Sequence, residues 1–281
     1  MGRLGGFLRL LRPMNAAMVG AAVVVGVVIS AQSLTEVPPL PLALAFATGF
    51  ALTGSAMSIN DYFDREIDAV NEPERPIPNG EVRPQEAVAY SAVLSVLGLT
   101  AAALNSPQVL AIGVLAWAMM MAYSAWGKRT GLPGNLMVSA DIALPFLYGG
   151  VLAGDASTSL LFGALAFLSN TGREVAKGIV DVEGDAARGV RTVAVSLGAP
   201  KAALLAAAFY VSAVVVSAAP VLLGIVSLYY VPFVVVTDAG LMLGSVQLLR
   251  NPSRETSRTV KNRTLIWMLF GLLAFAAGRL L

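Results

Sequence analysis

The sequence predicts an all-α integral membrane protein of nine transmembrane helices with its N-terminus on the cytoplasmic side. Three observations predict it. First, the 281 residues are 57% apolar and only 13% charged, with mean hydropathy +0.74. An average soluble domain carries about 25% charge and about 45–50% apolar residues, and a soluble chain of this size has too little interior to hide the excess. Second, the apolar residues gather in stretches of roughly 17–25, the length needed to cross a hydrocarbon core of about 30 Å. Third, the basic residues fall almost entirely on one side when nine such stretches are threaded.

The spans are 14–32, 40–60, 86–105, 107–125, 133–154, 158–177, 201–219, 226–249 and 262–280. The first is too long for a signal-peptide core and has no small-residue cleavage site, so it is expected to stay in the protein. Asn105-Ser106-Pro107 is a turn signal dividing the third span from the fourth, and Pro220 with Gly224 divides the run 201–249. With the N-terminus inside, the cytoplasmic segments hold Arg3, Arg9 and Arg12; Arg65, Arg75 and Arg83; Lys128 and Arg129; Arg173, Lys177, Arg188, Arg191 and Lys201; and Arg250, Arg254, Arg258, Lys261 and Arg263. Only Arg279, of the 19 Lys and Arg, falls outside. Such a bias in short loops sets orientation, and one miscounted early span would scramble it. The outer loops near 33–39, 105–107, 155–157 and 220–225 are short and nearly uncharged, with Tyr229 and Tyr230 read as outer-interface anchors. The whole chain, 1–281, reads as one multi-pass domain in the cell membrane. No fixed-period repeat appears. A helix followed by an acidic loop occurs twice, as in a two-fold pseudo-repeat. The 27 glycines and abundant alanines permit close helix contact, and equally a wide apolar cavity.

Composition also limits the chemistry. Without cysteine there is no disulfide framework or thiolate metal site, and without histidine no imidazole zinc site, Ser-His-Asp triad or histidine shuttle. Catalysis is left to carboxylates, amides, hydroxyls, Lys/Arg or a hard, oxygen-bound metal. A pI near 9.0 invites nucleic acid, but 19 basic against 17 acidic residues is near balance. No nucleic-acid partner and no obligate protein partner is expected.

Two inner segments, 60–85 and 172–200, carry the charge. The first opens with Asn60-Asp61-Tyr62-Phe63-Asp64-Arg65-Glu66-Ile67-Asp68. At about 100° per residue, Asn60, Asp64, Asp68 and Asp61 share one arc at the inner end of the second span. The second reads Asp181-Val182-Glu183-Gly184-Asp185, with Asp181 and Asp185 on one face and Arg173, Glu174 and Lys177 just upstream. The alternative reading is ordinary charge on solvated inner loops; each segment alone is a moderate signal, and the pairing of two at helix ends is the strong one. Clustered carboxylates repel, more so where the membrane lowers the dielectric, and Arg65 and Arg75 are too few to neutralise them. Lacking His and Cys, the suited ion is Mg²⁺, held by one or two carboxylates while it shares substrate phosphates. Two clusters on separate helices would hold two ions on either side of a diphosphate.

Other residues read both ways. Lys128 and Arg129 after Tyr123 are a stop-transfer anchor or a phosphate-binding cation, and Arg12 with Asn15 at the start of the first span invite the same pair of readings. Asp141 and Asp238 are carboxylates at membrane depth, read either as hydrogen-bonded packing residues or as direct participants. Asn135, Ser139 and Asn170 are weaker candidates.

On Asn60-Asp61-x-x-Asp64-x-x-x-Asp68, Arg75-Pro76-Ile77-Pro78-x-Gly80, Tyr123 with Lys128-Arg129, and Asp181-x-x-x-Asp185, the chain resembles the UbiA superfamily of intramembrane prenyltransferases over nearly its whole length. The resemblance implies nine helices around a central cavity, and two aspartate-rich motifs that bind two Mg²⁺ ions and an isoprenyl diphosphate. Carried over, Asn60, Asp61, Asp64, Asp68, Asp181 and Asp185 form the metal set, with the five aspartates and Lys177 catalytic. Arg65, Arg75, Lys128 and Lys177 contact the diphosphate. Asn15, Tyr123 and Arg129 join the substrate-binding set, and Arg12 or Arg191 supplies the cation for an acceptor phosphate. The stretches 71–80 and 173–185 look like the archaeal ether-lipid branch, which adds a second geranylgeranyl chain to geranylgeranylglyceryl phosphate. One position departs: Gly178 stands where that branch often has Asp, so no ligand is expected there.

The partners implied are an isoprenyl diphosphate donor, a glycerol-lipid phosphate acceptor and the bilayer itself, with the active-site loops on the cytoplasmic face. The nearest rival keeps the chemistry with an aromatic acceptor such as 4-hydroxybenzoate. A CDP-alcohol phosphotransferase would show D-G-x-x-A-R, which is absent. A transporter would place its carboxylates at mid-membrane on broken helices, whereas these sit at inner helix ends.

Overall fold

The computed structural model describes residues 3–31, 37–187 and 189–281; Arg188, the last position of the expected span 14–32 and positions 33–36 of the first outer loop lie outside the described residues. The regular elements among them are helices: α1 (Arg3–Leu11), α2 (Pro13–Ser30), α3 (Pro39–Asn71), α4 (Pro84–Asn105), α5 (Pro107–Ala125), a 3-10 turn (Gly127–Arg129), α6 (Leu132–Ala153), α7 (Ala156–Val180), α8 (Val182–Ala187), α9 (Val193–Leu197), α10 (Ala199–Val216), α11 (Ala219–Leu222), α12 (Tyr230–Arg250) and α13 (Arg254–Leu280). Four of the first five begin on a proline. The first helical position lacks a backbone partner in any case, and the ring presets φ.

Eight helices among the described residues are long and apolar enough to cross a membrane, with α1 and α2 counting as one stretch. The remaining expected span, the sixth in order at 158–177, is α7. That helix has 25 residues, but with Ser169, Asn170, Thr171 and Glu174 along it, it holds no membrane-length stretch as apolar as those of the other spans. Nine spans are therefore not reached on length and apolarity alone. At about 1.5 Å per residue, the 33 residues of α3 extend about 50 Å. A hydrocarbon core of about 30 Å is shorter. The final turns of α3, which hold Asn60 to Asp68, thus project past the apolar stretch.

The chain forms two compact units, Met1–Ala125 with Leu144–Ala156, and Trp126–Ala143 with Ser157–Leu281. In the first, α3 packs against α2, α4 and α5. Val23, Ala45, Ala102, Val109 and Tyr148 make an apolar core. A hydroxyl ladder ties α3 to α4 and α5: Ser55 Oγ lies 2.9 Å from Ser91 Oγ and 2.7 Å from Ser95 Oγ, which accepts from Trp117 Nε1 at 2.9 Å. In an apolar solvent such bonds add about 1 kcal/mol each to van der Waals packing. Small residues let α2 and the second half of α6 touch: a Cβ on Gly149 would lie 2.4 Å from Val27 N.

In the second unit α12 packs on α10 and α13, around Val175, Ile179, Tyr210, Leu241, Leu248 and Val260. Tyr210 Oη lies 2.9 Å from Thr264 Oγ1. The expected division of the run 201–249 is present, made by α11 and a turn through Gly224 at φ 66°. One expectation is corrected here. Tyr229 is 58% exposed, but Tyr230 is 1% exposed, stacked edge-on against Phe275 and donating to Ser217 O at 3.0 Å. Tyr230 is a packing residue and not an interface anchor, because the helix start turns its ring toward α13.

Candidate functional site

In the first unit the site is built on the last turns of α3. Asp61 and Asp68 are only 3% and 6% exposed. Burying them requires charge compensation, and two arginines provide it. Arg12 Nη2 donates to Asp61 Oδ1 at 2.6 Å. Arg75 Nη1 lies 3.4 Å from the same oxygen and donates to Asp68 Oδ2 at 2.7 Å. Asn60 Nδ2 donates to Asp64 Oδ2 at 2.9 Å, so the predicted arc of amide and carboxylates exists on one face.

Arg75 is held by a folded loop. Its N–H donates to Glu72 O, Asn79 N–H donates to Arg75 O, and Gly80 turns the chain at φ 79°. Asn79 Nδ2 donates to Glu74 O at 3.1 Å while its Oδ1 accepts from Glu81 N at 3.0 Å. Ile77 and Val82 bury their side chains with Leu10 and Ala87. Helix α1 clamps this loop: Arg9 donates to Glu74 O at 3.0 Å and pairs with Glu81, and Arg3 pairs with Glu86. The Arg9 guanidinium beside Glu81 holds that carboxyl below the usual range. Arg65 is not brought to the carboxylates. It lies over the Tyr62 ring at 4.6 Å and bonds Tyr62 O and Glu66. Asn15 is exposed in the first turn of α2, and Tyr123 ends α5.

In the second unit the site lies where α7 gives way to α8. Asp181 N–H donates to Lys177 O, Asp185 N–H to Asp181 O at 2.8 Å, and Val190 N–H to Asp185 O. About two turns before Asp181, Glu174, 8% exposed, accepts from Arg173 Nη1 at 2.6 Å and Lys177 Nζ at 3.3 Å. Gly178 faces Thr192, where a Cβ would meet the threonine at 3.5 Å; Thr192 caps α9 by accepting from Val195 N. The backbone of Arg191 supports the turn after Lys128 and Arg129: a Cβ on Gly131, at φ 73°, would lie 2.0 Å from Arg191 O. Lys128 and Arg129 sit in the 3-10 turn itself.

Two contributors were passed over in the sequence. Arg254, on the first turn of α13, donates from Nε to Val180 O at 3.1 Å, beside Asp181. Glu81 anchors α1 to the Arg75 loop. Their only signal is an arginine after an N-cap serine and a glutamate after a turn, and neither is specific. Of the membrane-depth polar residues, Asp238 Oδ2 accepts from Ser217 Oγ at 2.8 Å, and Asn170 Nδ2 donates to Ser139 Oγ at 3.2 Å, whose hydroxyl donates to Asn135 O. These are packing bonds. Asp141 Oδ1 is buried without a hydrogen-bond partner.

The UbiA prenyltransferase family matches residues 19–277. A digeranylgeranylglyceryl phosphate synthase of Methanothermobacter thermautotrophicus is 35% identical over 277 residues, covering 97% of this chain and 95% of the relative. A solved structure concerned with digeranylgeranylglyceryl phosphate synthase in membranes superposes with TM-score 0.92 at 30% identity, covering 99% of both chains. A UbiA homolog from Archaeoglobus fulgidus, bound to GPP and Mg²⁺, has the same fold at TM-score 0.67 and 16% identity, over 96% of this chain and 99% of the other.

Proposed function

Because the chain belongs to the UbiA prenyltransferase family, we propose that it transfers a geranylgeranyl group from geranylgeranyl diphosphate to geranylgeranylglyceryl phosphate in archaeal membrane-lipid synthesis. The observation that carries this choice of acceptor is the full-length likeness to a digeranylgeranylglyceryl phosphate synthase. In the reaction the allylic C–O bond to the diphosphate breaks, a glycerol hydroxyl oxygen bonds to that carbon, and the hydroxyl proton and diphosphate leave.

Mg²⁺ fits the donor set. Asn60, Asp61, Asp64, Asp68, Asp181 and Asp185 offer only hard oxygens, and the chain has no imidazole or thiolate to attract a softer metal. These residues would hold two ions, which supply positive charge against the leaving diphosphate. Arg12, Arg75, Lys128 and Lys177 bind diphosphate oxygens, and Arg191 the acceptor's phosphate. Tyr123, Arg129 and Asn15 line the substrates, and Arg65 waits on Tyr62 for a substrate phosphate. The apolar helices hold the donor tail and keep water from the allylic cation. The loops carrying these residues face the cytoplasm, by the distribution of Lys and Arg, and the whole chain acts as one domain.

The test is the purified chain in lipid nanodiscs with geranylgeranyl diphosphate, Mg²⁺ and either geranylgeranylglyceryl phosphate or 4-hydroxybenzoate. Pyrophosphate release and an ether product with the glycerol lipid alone are expected. Product with the aromatic acid alone overturns the acceptor.

A further inference from the structure

Arg12 is the only non-glycine among the described residues with a positive φ, at 48°. Left-handed backbone is unfavourable for a residue with a Cβ and persists only where the surroundings hold it. Arg12 is held on both sides: its N–H donates to Arg9 O at the end of α1, and its C=O accepts from Ala16 N in α2. That turn directs the guanidinium onto Asp61 Oδ1 at 2.6 Å and Met57 Sδ at 3.5 Å. Arg75 reaches the same carboxylate oxygen at 3.4 Å and Asp68 at 2.7 Å. Two guanidiniums and two buried carboxylates thus form a closed, charge-balanced set. Among the described residues no three carboxylates stand together to hold a metal ion.

We infer that Arg12 and Arg75 are placeholders, which keep the α3 carboxylates from divalent cations until a diphosphate draws the guanidiniums away. The inference deepens the proposed function and rests on it. A bare dication entering this set meets two guanidiniums already bonded to the oxygens it needs, so like charges crowd at low dielectric. A diphosphate reverses the balance. Guanidinium forks bind phosphate oxygens as well as they bind carboxylates, so every arginine that changes partner leaves a carboxylate oxygen open as negative charge arrives. Metal and diphosphate therefore bind as a coupled pair, and coupling is reciprocal. The strained turn at Arg12 assists, because release of its side chain removes one of the contacts that hold it.

The experiment measures Mn²⁺ binding to the full chain in nanodiscs by electron paramagnetic resonance, with Mn²⁺ alone and with preformed Mn²⁺–pyrophosphate. The wild type is expected to bind Mn²⁺ alone about tenfold or more weakly than the complex, within the usual range of ligand coupling. R12Q and R75Q are expected to tighten binding of Mn²⁺ alone and to narrow the gap. Equal binding of both forms by the wild type overturns the inference without requiring any variant. So does unchanged or weaker binding of Mn²⁺ alone by folded R12Q and R75Q. Prenyl transfer assayed on the same wild-type sample separates the two levels: transfer with equal binding removes the placeholder role and leaves the proposed function, whereas neither transfer nor Mn²⁺ binding removes both.

Discussion

The two aspartate-bearing helix ends solve one electrostatic problem differently. At the end of α3, Asp61 and Asp68 are almost fully buried and are neutralised by side chains from outside the helix, Arg12 and Arg75. At the end of α7, Asp181 and Asp185 are partly exposed and are set by backbone bonds running from Lys177 O to Val190 N. There a buried carboxylate, Glu174, lies about two turns upstream and pairs with the partly exposed Arg173 and Lys177. The buried carboxylates of the first end carry fixed countercharges on their own oxygens, and the turn that presents Asp181 and Asp185 is set by its backbone bonds.

Replacing one carboxylate in each end should break this comparison most sharply. D61N and D181N should each lower prenyl transfer by about 10²–10³-fold, the usual loss when a preorganised electrostatic group is removed. Only D61N should also destabilise the chain, by about 1–3 kcal/mol, since it leaves the Arg12 guanidinium against a neutral amide while Arg75 keeps Asp68. Thermal unfolding in detergent beside a turnover assay checks both; equal stability loss in the two variants would end the distinction.

A smaller effect addresses the backbone of the second end. G131A forces a Cβ into Arg191 O at a positive φ. It should cost about 1–3 kcal/mol, as overpacking does, and raise proteolytic cleavage within 185–198 while leaving 72–83 protected. Smaller again is R254M, which removes the bond to Val180 O and should cost about 0.5–1.5 kcal/mol. It should raise the Mg²⁺ concentration needed for half activity, and R254K should recover part of the loss.

The smallest effect is acid sensitivity at the first end. Arg9 lowers the Glu81 carboxyl below its ordinary 4.5, so the stabilisation is present above the unfolded value and is lost as pH falls through the folded one. Hydrogen exchange in α1 should therefore rise below about pH 4, with α9 unaffected; protection of α1 unchanged at that pH would discount the Arg9 clamp.

The predicted helices were legible because the signals are local. Prolines at 13, 39, 84 and 107 open four helices, the turn at 105–107 divides α4 from α5, and apolar stretches mark the spans. The amide-carboxylate arc of Asn60, Asp61, Asp64 and Asp68 needed only helical periodicity. Less visible were features that depend on distant chain. The expected span 158–177 did not show that Ser169, Asn170, Thr171 and Glu174 would be buried along α7. Tyr230 read as an anchor because its aromatic type is local information, while Phe275 is far away in sequence.

By itself, then, the sequence determined the membrane class, the helical segments and the two carboxylate-bearing helix ends. Each of these follows from residue type and spacing along the chain. Only the tertiary structure decided which cation meets which carboxylate. Arg65, beside the aspartates in sequence, turns onto Tyr62, while Arg12, 49 residues from Asp61, reaches it through a left-handed turn. The physical reason is that a buried charge takes the partner that packing brings within about 3 Å, and packing is not ordered by distance along the chain.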